Sequence, residues 1–212
     1  KYNNWAGTAF VWTRSGTTWS QQQQITGSDT AAYDNFGAGV DITADGNMVI
    51  VGAGYHDSPT NNEGAAYIFT RSGTTWSQQA KLQASDKQNG DTFAGRVAID
   101  EDGTRAVMGA LGVDTGGNSS AGAAYIFKRS GTSWSQEAKI QPTDVNATDF
   151  AGADVDITDD GGTVIISSPW AEDKTTTNVN YVGYLYVFTR SGTTWTQAAR
   201  LGPQSASAND YF

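Results

Sequence analysis

The sequence predicts an all-β fold built from repeated four-stranded antiparallel sheets, and three observations support this prediction. One phrase, Arg-Ser-Gly-Thr-Thr/Ser-Trp, occurs four times in the 212 residues, and its tryptophans lie 57, 58 and 61 residues apart. Between these phrases, short segments alternate apolar and polar residues. No segment has a convincing helical periodicity. A fixed period of this length indicates an array of one supersecondary unit. The four copies are Arg14–Trp19, Arg71–Trp76, Arg129–Trp134 and Arg190–Trp195.

A second marker follows nearly the same period and sets the expected domain organisation. Phenylalanines recur at positions 36, 93, 150 and 212. We take each of them as the start of a unit. The chain then divides into a partial unit at 1–35, three complete units at 36–92, 93–149 and 150–211, and the start of another unit at 212.

The first complete unit predicts four strands. At residues 40–43, Val40 and Ile42 alternate with polar residues, which is typical of a strand with one buried face. An Asp-Gly pair at 45–46 predicts a hairpin turn. Residues 48–53 are apolar on both faces, as expected for a strand covered on two sides. Residues 64–70 and 76–82 form the second hairpin, around the recurring Ser-Gly turn.

Repeated four-stranded sheets with glycines and bulky aromatics at fixed offsets favour the blades of a β-propeller. We therefore expect the recurring tryptophans to pack between adjacent blades. A long polar or cationic residue lies five residues after each tryptophan, which indicates an exposed outer strand protected against further pairing. These residues are Gln24, Lys81, Lys139 and Arg200.

The strand count predicts about three and a half blades, because the chain carries four second hairpins and three first hairpins. A propeller closes to hide its edges, so we expect this set to be part of a larger ring, of seven blades in total. The missing strands would come from remaining blades of a longer chain or from other protein subunits. A ring of two identical copies is disfavoured, since their hairpins do not pair off.

Composition excludes several functions. A net charge of −9 and a pI near 4.4 disfavour binding to nucleic acid and to anionic membrane surfaces. The chain has no cysteine, so disulfides and zinc-thiolate sites are excluded. No apolar run reaches the roughly 20 residues of a membrane-spanning helix. Asn118 and Asn146 begin glycosylation sequons in predicted loops.

The pattern of the units resembles the FG-GAP repeat. Phe36-Gly37 and Val51-Gly-Ala53 carry the motif in the first complete unit. The second has Phe93-Ala and Met108-Gly-Ala110, and the third has a weaker version at Phe150-Ala and residues 166–169. The resemblance covers essentially the whole chain. It implies a propeller like that of integrin α subunits and of microbial and algal extracellular proteins, hence an adhesive role outside the cell.

The resemblance also implies a possible calcium site in the turn of the first hairpin. In the family, some blades carry Asp-x-Asp-x-Asp-Gly-x-x-Asp there, whose carboxylates wrap the ion. The matching acids here are Asp41 and Asp45 in the first unit and Asp156 and Asp160 in the third. Valine, at positions 49 and 164, replaces the last aspartate of this pattern. An ordinary Asp-Gly hairpin turn explains the same residues, so no cofactor is required.

Aromatic residues outside the recurring positions are the best binding candidates. Trp5, Tyr55, Trp170 and Tyr181 fall in predicted loops at the rim. Exposed aromatics can anchor a protein partner or stack on sugar rings. The single histidine, His56, has no nucleophile-elbow motif around it, so we expect a solvated loop residue. The sequence therefore favours a non-catalytic adhesion or assembly module, with a glycan-binding module as the alternative.

Overall fold

The computed structural model describes residues 5–56, 62–172 and 181–203. In this part of the chain all regular structure is β. A half-sheet at the start pairs β1 with β2, and three four-stranded sheets follow, here numbered 1 to 3. No described helix is long and apolar enough to cross a membrane.

Within each sheet, strands that are consecutive in sequence pair in antiparallel fashion. The half-sheet contains β1 (Ala9–Ser15) and β2 (Thr18–Ile25). Sheet 1 contains β3 (Val40–Ile42), β4 (Met48–Ala53), β5 (Ala65–Ser72) and β6 (Thr75–Leu82). Sheet 2 contains β7 (Phe93–Ile99), β8 (Arg105–Ala110), β9 (Ala123–Ser130) and β10 (Ser133–Ile140). Sheet 3 contains β11 (Val155–Ile157), β12 (Thr163–Ser168), β13 (Tyr184–Ser191) and β14 (Thr194–Leu201).

The sheets stack as successive propeller blades, and the core lies between them. One apolar cluster joins the half-sheet to sheet 1, a second joins sheets 1 and 2, and a third joins sheets 2 and 3. The second strands β4 and β8 are buried along their whole length. The predicted all-β fold of four-stranded antiparallel blades, with about three and a half blades present, is confirmed.

The recurring tryptophans pack between blades where a preceding blade exists. Trp76 is buried, and Trp134 and Trp195 pack against the next two clusters. Each indole N–H donates to a side chain on the outer strand of the preceding sheet. The acceptors are Gln22 for Trp76, Gln79 for Trp134 and Glu137 for Trp195, at 2.7, 3.2 and 3.3 Å. The Trp19 side chain is exposed, and no described blade precedes its sheet, so its packing between blades stays a prediction.

The cations on the outer strands do more than discourage pairing at an exposed edge. Each forms an ion pair with an acid in the lead-in segment that precedes its sheet, where the three lead-in segments are residues 26–39, 83–92 and 141–154. Lys81 bonds Asp29 at 2.7 Å, and Lys139 bonds Asp86 at 2.7 Å. Arg200 lies 3.4 Å from Asp144. The cations therefore hold each sheet to its own lead-in segment.

A glutamine two residues after each tryptophan makes the same connection. Its side-chain oxygen accepts a hydrogen bond from a backbone N–H in the lead-in segment. The pairs are Gln78 with Ser28, Gln136 with Ser85, and Gln197 with Thr143, at 2.8, 2.9 and 2.9 Å. The acids and hydroxyl residues of the lead-in segments recur at the repeat spacing, a signal present in the sequence that our sequence analysis did not use.

The phenylalanine marker is out of register in the third complete unit. Gly7 and Gly64 pair with Phe36 and Phe93, but the equivalent Gly122 pairs with Ala151. Phe150 instead takes a left-handed backbone with φ of 53°, the conformation of Asn35 and Thr92 in the other units. The core position is therefore filled by Ala151, and the Phe150 side chain is released toward the rim. Phe212 lies outside the described residues.

Candidate binding groove on the rim

A groove of about 410 Å³ lies on the rim where the lead-in segments meet the loops between second and third strands. We call these loops the central loops; their described residues are 54–56 and 62–64, 111–122, and 169–172 and 181–183. The groove runs over sheet 2. Its wall on the side of sheet 1 includes Tyr55, and its wall on the side of sheet 3 includes Phe150. Leu111, Gly112 and Ser120 from the central loop of sheet 2 lie between them.

Tyr55 and Trp170 occupy the same position of the repeat, which the sequence analysis did not recognise. Each follows the second strand of its sheet by two residues. The amide of the next residue, His56 or Ala171, donates to the last carbonyl of that strand, at 3.0 and 3.2 Å. In sheet 2 this position is Gly112, where an added Cβ would collide with the carbonyl oxygen of Gly90. The groove is therefore open in the middle, with an aromatic residue on either flank.

Trp170 packs against Phe150, and Phe150 lines the groove. The two rings meet edge to face with centroids 5.0 Å apart. Tyr55 is 47% exposed and Trp170 is 37% exposed. Of the four predicted binding residues, Tyr55 lines the groove and Trp170 lies beside it, against the lining residue Phe150.

Trp5 and Tyr181 share a second position of the repeat, at the end of a central loop. Both have a left-handed backbone, with φ of 62° and 58°, as do the equivalent Asn62 and Ser120. The Trp5 carbonyl accepts a hydrogen bond from the amide of Asn35, a groove residue, at 3.0 Å. Trp5 is 79% exposed. Trp5 and Tyr181 belong to the first and last repeats, so the structure separates them from each other.

The groove is lined mostly by glycines and other small residues, its surface is more apolar than polar, and it carries one charge. Arg96 is the only charged residue among the described residues that line it. Its side chain is exposed, and its guanidinium donates to the Gly95 carbonyl at 2.9 Å. Arg96, Leu111 and Phe150 were not predicted from the sequence as groove residues. Aligning the repeats by their central loops would have shown that glycine replaces an aromatic residue in the middle unit.

His56, next to Tyr55, is buried, so the expectation of a solvated loop histidine was wrong. Its Nδ1 lies 3.0 Å from Oδ2 of the buried Asp34, and its Nε2 lies 2.7 Å from Nζ of Lys81. An ammonium group only donates, so Nε2 accepts and Nδ1–H donates to Asp34. Through these two contacts, His56 connects the central loop of sheet 1 to Asp34 in the lead-in segment and to Lys81 on β6. Val113 and Ala171 take this position in the other sheets, so the pair is specific to sheet 1.

The same cluster contains Tyr67 and Asp29. The Tyr67 hydroxyl donates to Asp29 Oδ1 at 2.8 Å. Burial, and then this hydrogen bond, raise the pKa of Tyr67 above its ordinary value. Burial by itself raises the pKa of Asp29, but hydrogen bonds from Lys81 and Tyr67 outweigh it and the net pKa is lowered. The cluster is thus a set of matched donors and acceptors beneath the rim.

The acids considered for calcium are engaged in the hairpin turns. Asp45 Oδ1 accepts from the Thr43 hydroxyl at 2.7 Å and from the Asn47 amide at 2.9 Å. Asp160 makes the equivalent bonds with Thr158 and Gly162. The Thr43 and Thr158 hydroxyls lower the pKa of the respective carboxyl groups.

Asp41 and Asp156 lie on the strands beside these turns. Asp41 Oδ2 accepts from the Ile99 amide of the next sheet at 2.8 Å, and Asp156 Oδ1 accepts from its neighbour Ile157 at 2.9 Å. The described residues contain no group of three or more acidic or histidine side chains suited to a metal ion. The donors present therefore fit a hydrogen-bonded turn, and calcium binding stays a prediction.

The two sequon asparagines lie near each other in the rim loops. The side-chain amide of Asn118 donates to the Val145 carbonyl at 3.5 Å. The backbone amide of Asn146 donates to Asp149 Oδ2 at 2.7 Å. Both residues are partly exposed. Their glycosylation stays a prediction.

Comparison with known proteins identifies the family. The family described as FG-GAP repeat matches residues 19–69, 76–127 and 134–188, together well over half of the chain. The chain is therefore an FG-GAP repeat protein, and its fold is that of a β-propeller. Each match begins at a recurring tryptophan on an outer strand and ends on the third strand of the following sheet. No curated protein matches the chain.

A solved structure shares the fold at low sequence identity. The chain is similar to the structure titled Kuenenia stuttgartiensis Hydrazine Synthase, with a TM-score of 0.54 and 15% identity. The match covers 90% of this chain, which spans 47% of that one. At this identity the likeness shows the architecture alone.

Proposed function

We propose that this chain is a non-catalytic binding module, acting outside the cell or at its surface, whose rim groove holds a segment of a partner protein. The supporting observation is the placement of Tyr55 and Phe150–Trp170 on either flank of a groove kept open by Gly112. Protein interfaces concentrate their binding energy in a few aromatic anchors around a desolvated centre. The extracellular setting is the one typical of the family and fits the acidic surface.

The shape of the groove favours an extended segment with an apolar side chain at its centre. The small residues at the floor allow close approach of a peptide backbone, and the two flanking aromatic groups contact side chains on either side. Arg96 offers the groove's positive charge, so an acidic residue at one end of the segment would be matched.

Selection of a displayed library of random peptides against the purified protein tests this proposal. We expect enrichment of peptides with a central apolar residue and an acidic residue. Tyr55→Ala and Trp170→Ala should each weaken binding roughly tenfold or more, as for aromatic anchors. Tyr33→Ala is the matched control, because Tyr33 is an exposed tyrosine outside the groove lining. Peptides that bind all three variants equally well would contradict the proposal.

The alternative is a glycan ligand, favoured by the exposed aromatic faces beside hydroxyl and amide groups of Asn35, Thr92 and Ser120. A glycan array on the same proteins separates the two. Sugar binding that is lost with Trp170→Ala and kept with Tyr33→Ala would establish the alternative. Absence of sugar binding on the array would remove it.

A further inference from the structure

A turn in the lead-in segment of sheet 2 contributes to the rim groove. It spans residues 88–91, and the Asp91 amide closes it by donating to the Gln88 carbonyl at 3.3 Å. Asp91 Oδ2 accepts from the Gln88 amide at 2.7 Å and so holds the two ends of the turn together. Gly90, the third residue of the turn, lines the groove and has a φ of 88°. We call this segment the groove turn.

The other two lead-in segments contain the same turn, at residues 31–34 and 146–149. In each, the amide of the fourth residue donates to the carbonyl of the first at 3.4 Å. The aspartate at the fourth position accepts from the amide of the first residue, as in the groove turn. The third residue has a left-handed backbone there too, with φ of 74° at Tyr33 and 63° at Thr148. The shape of the turn therefore does not require glycine at this position.

The groove turn carries the one Asn-Gly pair in the 212 residues. In the other two turns the position of Asn89 is taken by alanine, at 32 and 147. Asn89 is exposed, and neither its side chain nor the Gly90 amide forms a hydrogen bond with another described residue. A Cβ added to Gly90 would meet no atom within 4 Å. The side-chain amide of Asn89 and the backbone nitrogen that follows it are therefore not held by competing contacts.

We propose that Asn89 is a site of spontaneous deamidation, and that its isoaspartate product reshapes the rim groove. Asparagine is one of the thermolabile residues, and glycine after it favours the reaction because no Cβ lies beside the attacking nitrogen. The Gly90 nitrogen bonds to Cγ of Asn89 and loses its proton, and the Cγ–Nδ2 bond breaks with release of ammonia.

Water then opens the resulting succinimide in one of two ways. Addition at Cγ breaks the new bond to the Gly90 nitrogen and gives aspartate. Addition at the backbone carbonyl carbon of residue 89 breaks the original peptide bond and gives isoaspartate. The main chain of isoaspartate runs through the side-chain carbon, so it is longer by one methylene.

The groove has no space for this longer main chain. The Gly90 carbonyl oxygen lies so close to Gly112 that a Cβ added there would collide with it. The Gly112 amide donates to the Asp91 carbonyl at 3.1 Å. The methylene enters directly before Gly90, so we expect the groove turn to shift and this hydrogen bond to break. Both products also place a negative charge next to a groove whose charged lining residue is Arg96. The effect on a bound partner rests on the proposed function, whereas the modification and the change in the groove do not.

Peptide mapping by mass spectrometry tests the site. The purified protein is incubated at neutral pH and physiological temperature, and each asparagine is followed for exchange of its amide for a carboxyl group. We expect Asn89 to convert before Asn47, Asn118 and Asn146, each of which is followed by a residue with a side chain. Gly90→Thr keeps the asparagine and installs the residue found at position 148, so conversion should be lost over the same period.

Asn89→Ala installs the residue of the other two turns and is the control for folding, because alanine already occupies this position at 32 and 147. It should give no new acidic form of the protein over the same period. Conversion of Asn89 no faster than that of the other three asparagines would overturn the site. Unchanged conversion in Gly90→Thr would overturn the role of Gly90 in it.

Hydrogen exchange on the isoaspartate form, separated from the parent by ion exchange, tests the change in the groove. We expect the Gly112 amide to exchange about fivefold or more faster, because it loses a hydrogen bond worth about 1 kcal/mol. Asn89→Asp adds the charge without lengthening the main chain, and it should keep the exchange rate of the parent. Equal rates in the isoaspartate form and the parent would overturn the change in the groove. Equally fast exchange in Asn89→Asp would overturn its assignment to the longer main chain. Neither measurement uses a ligand, so both are independent of whether the groove binds a peptide.

Discussion

Glycines on the second strands set how closely adjacent blades approach. A Cβ on Gly52 would fall on the carbonyl oxygen of Ala94, and one on Gly109 would fall on that of Gly152. Both carbonyls belong to the next blade, so these glycines are required by space between backbones. The equivalent residue of sheet 3 is Ser167, which has no described blade beyond it.

Gly109→Ala should therefore destabilise the chain by about 1–3 kcal/mol, the usual range for overpacking a tight site. Urea unfolding followed by tryptophan fluorescence measures the change. Gly95→Ala is the control, because an added Cβ there would meet only the Thr92 carbonyl oxygen at an ordinary contact distance of 3.5 Å, and we expect it to alter the free energy of unfolding by less than about 0.5 kcal/mol. Equal effects of the two substitutions would contradict the steric role of Gly109.

The ion pairs with the lead-in segments predict a loss of stability in acid. Burial by itself raises the pKa of Asp86, but the hydrogen bond and charge of Lys139 outweigh it and the net pKa lies below the ordinary value. A carboxyl group whose pKa is lowered by folding stabilises the fold above its unfolded pKa, near 3.9. That contribution is lost as the pH falls through the folded pKa.

Lys139→Met should accordingly lower the free energy of unfolding at pH 7 and have a smaller effect at pH 3. The expected difference at pH 7 is at most about 1 kcal/mol, because Asp86 is nearly half exposed and solvent screens the pair. Urea unfolding at the two pH values measures it. An effect of Lys139→Met that is as large at pH 3 as at pH 7 would contradict the charge interaction.

At this scale the sequence identified the residue types but missed some of their partners. The burial of His56 was not predictable from its own loop, since its partner Asp34 lies 22 residues away and Lys81 lies on another strand. The displacement of Phe150 was not predictable, because nothing in the sequence marks Ala151 as the residue at the core position. Two neighbouring residues simply exchanged the core and rim positions.

Among the secondary structure elements, outer strand β10 carries one member of a charge pair buried within sheet 2, and the same residue accepts a hydrogen bond from sheet 3. Glu137 accepts from Arg105 Nε at 2.9 Å and from the Trp195 indole at 3.3 Å. Both charged side chains are at least nine-tenths buried. Burial alone raises the pKa of Glu137, but the hydrogen bonds from Arg105 and Trp195 outweigh it and lower the net pKa. In sheet 1 the equivalent residues are Met48 and Gln79, a pair without charge.

Replacing only Glu137 should lower the free energy of unfolding far more than replacing both Arg105 and Glu137. Glu137→Ala leaves the Arg105 charge buried, and we expect a loss of about 3–5 kcal/mol. The double substitution Arg105→Met with Glu137→Gln installs the residues of sheet 1 and should restore most of that loss. Chemical unfolding of Arg105→Met, Glu137→Gln and the double variant measures the coupling between the two residues, and Glu137→Ala is unfolded beside them. A double variant as unstable as Glu137→Ala would contradict it.

Strand positions were the most predictable elements. The predicted strands 40–43, 48–53 and 76–82 agree closely with β3, β4 and β6, because period-two alternation and Asp-Gly or Ser-Gly turns fix both the strands and the hairpins. The third strand extends two residues further than predicted, to Ser72. The rim groove was not predictable, because it depends on how three loops from different blades come together.

At the scale of the whole molecule, each blade is stabilised by the interfaces that it forms with its neighbours. Sheet 2 has apolar clusters on both faces, whereas the half-sheet has a cluster on one face only. The half-sheet is held to sheet 1 partly by Gln23, whose side chain donates to the Trp76 carbonyl at 2.9 Å and accepts from the Trp76 amide at 2.8 Å. In a nearest-neighbour array, a blade with one interface opens more readily than a blade with two.

Amide exchange should therefore be slowest in β8 and β9 of sheet 2 and fastest in the half-sheet. Gln23→Ala removes two hydrogen bonds of about 1 kcal/mol each, so we expect exchange in β1 and β2 to accelerate by roughly fivefold or more. Sheets 2 and 3 should keep their rates, because their interfaces are untouched. Gln21→Ala, at an exposed position of the same strand, is the control and should leave every rate unchanged. Acceleration spread evenly over all four sheets would instead show that the chain opens as a single cooperative unit, and the nearest-neighbour description would be wrong.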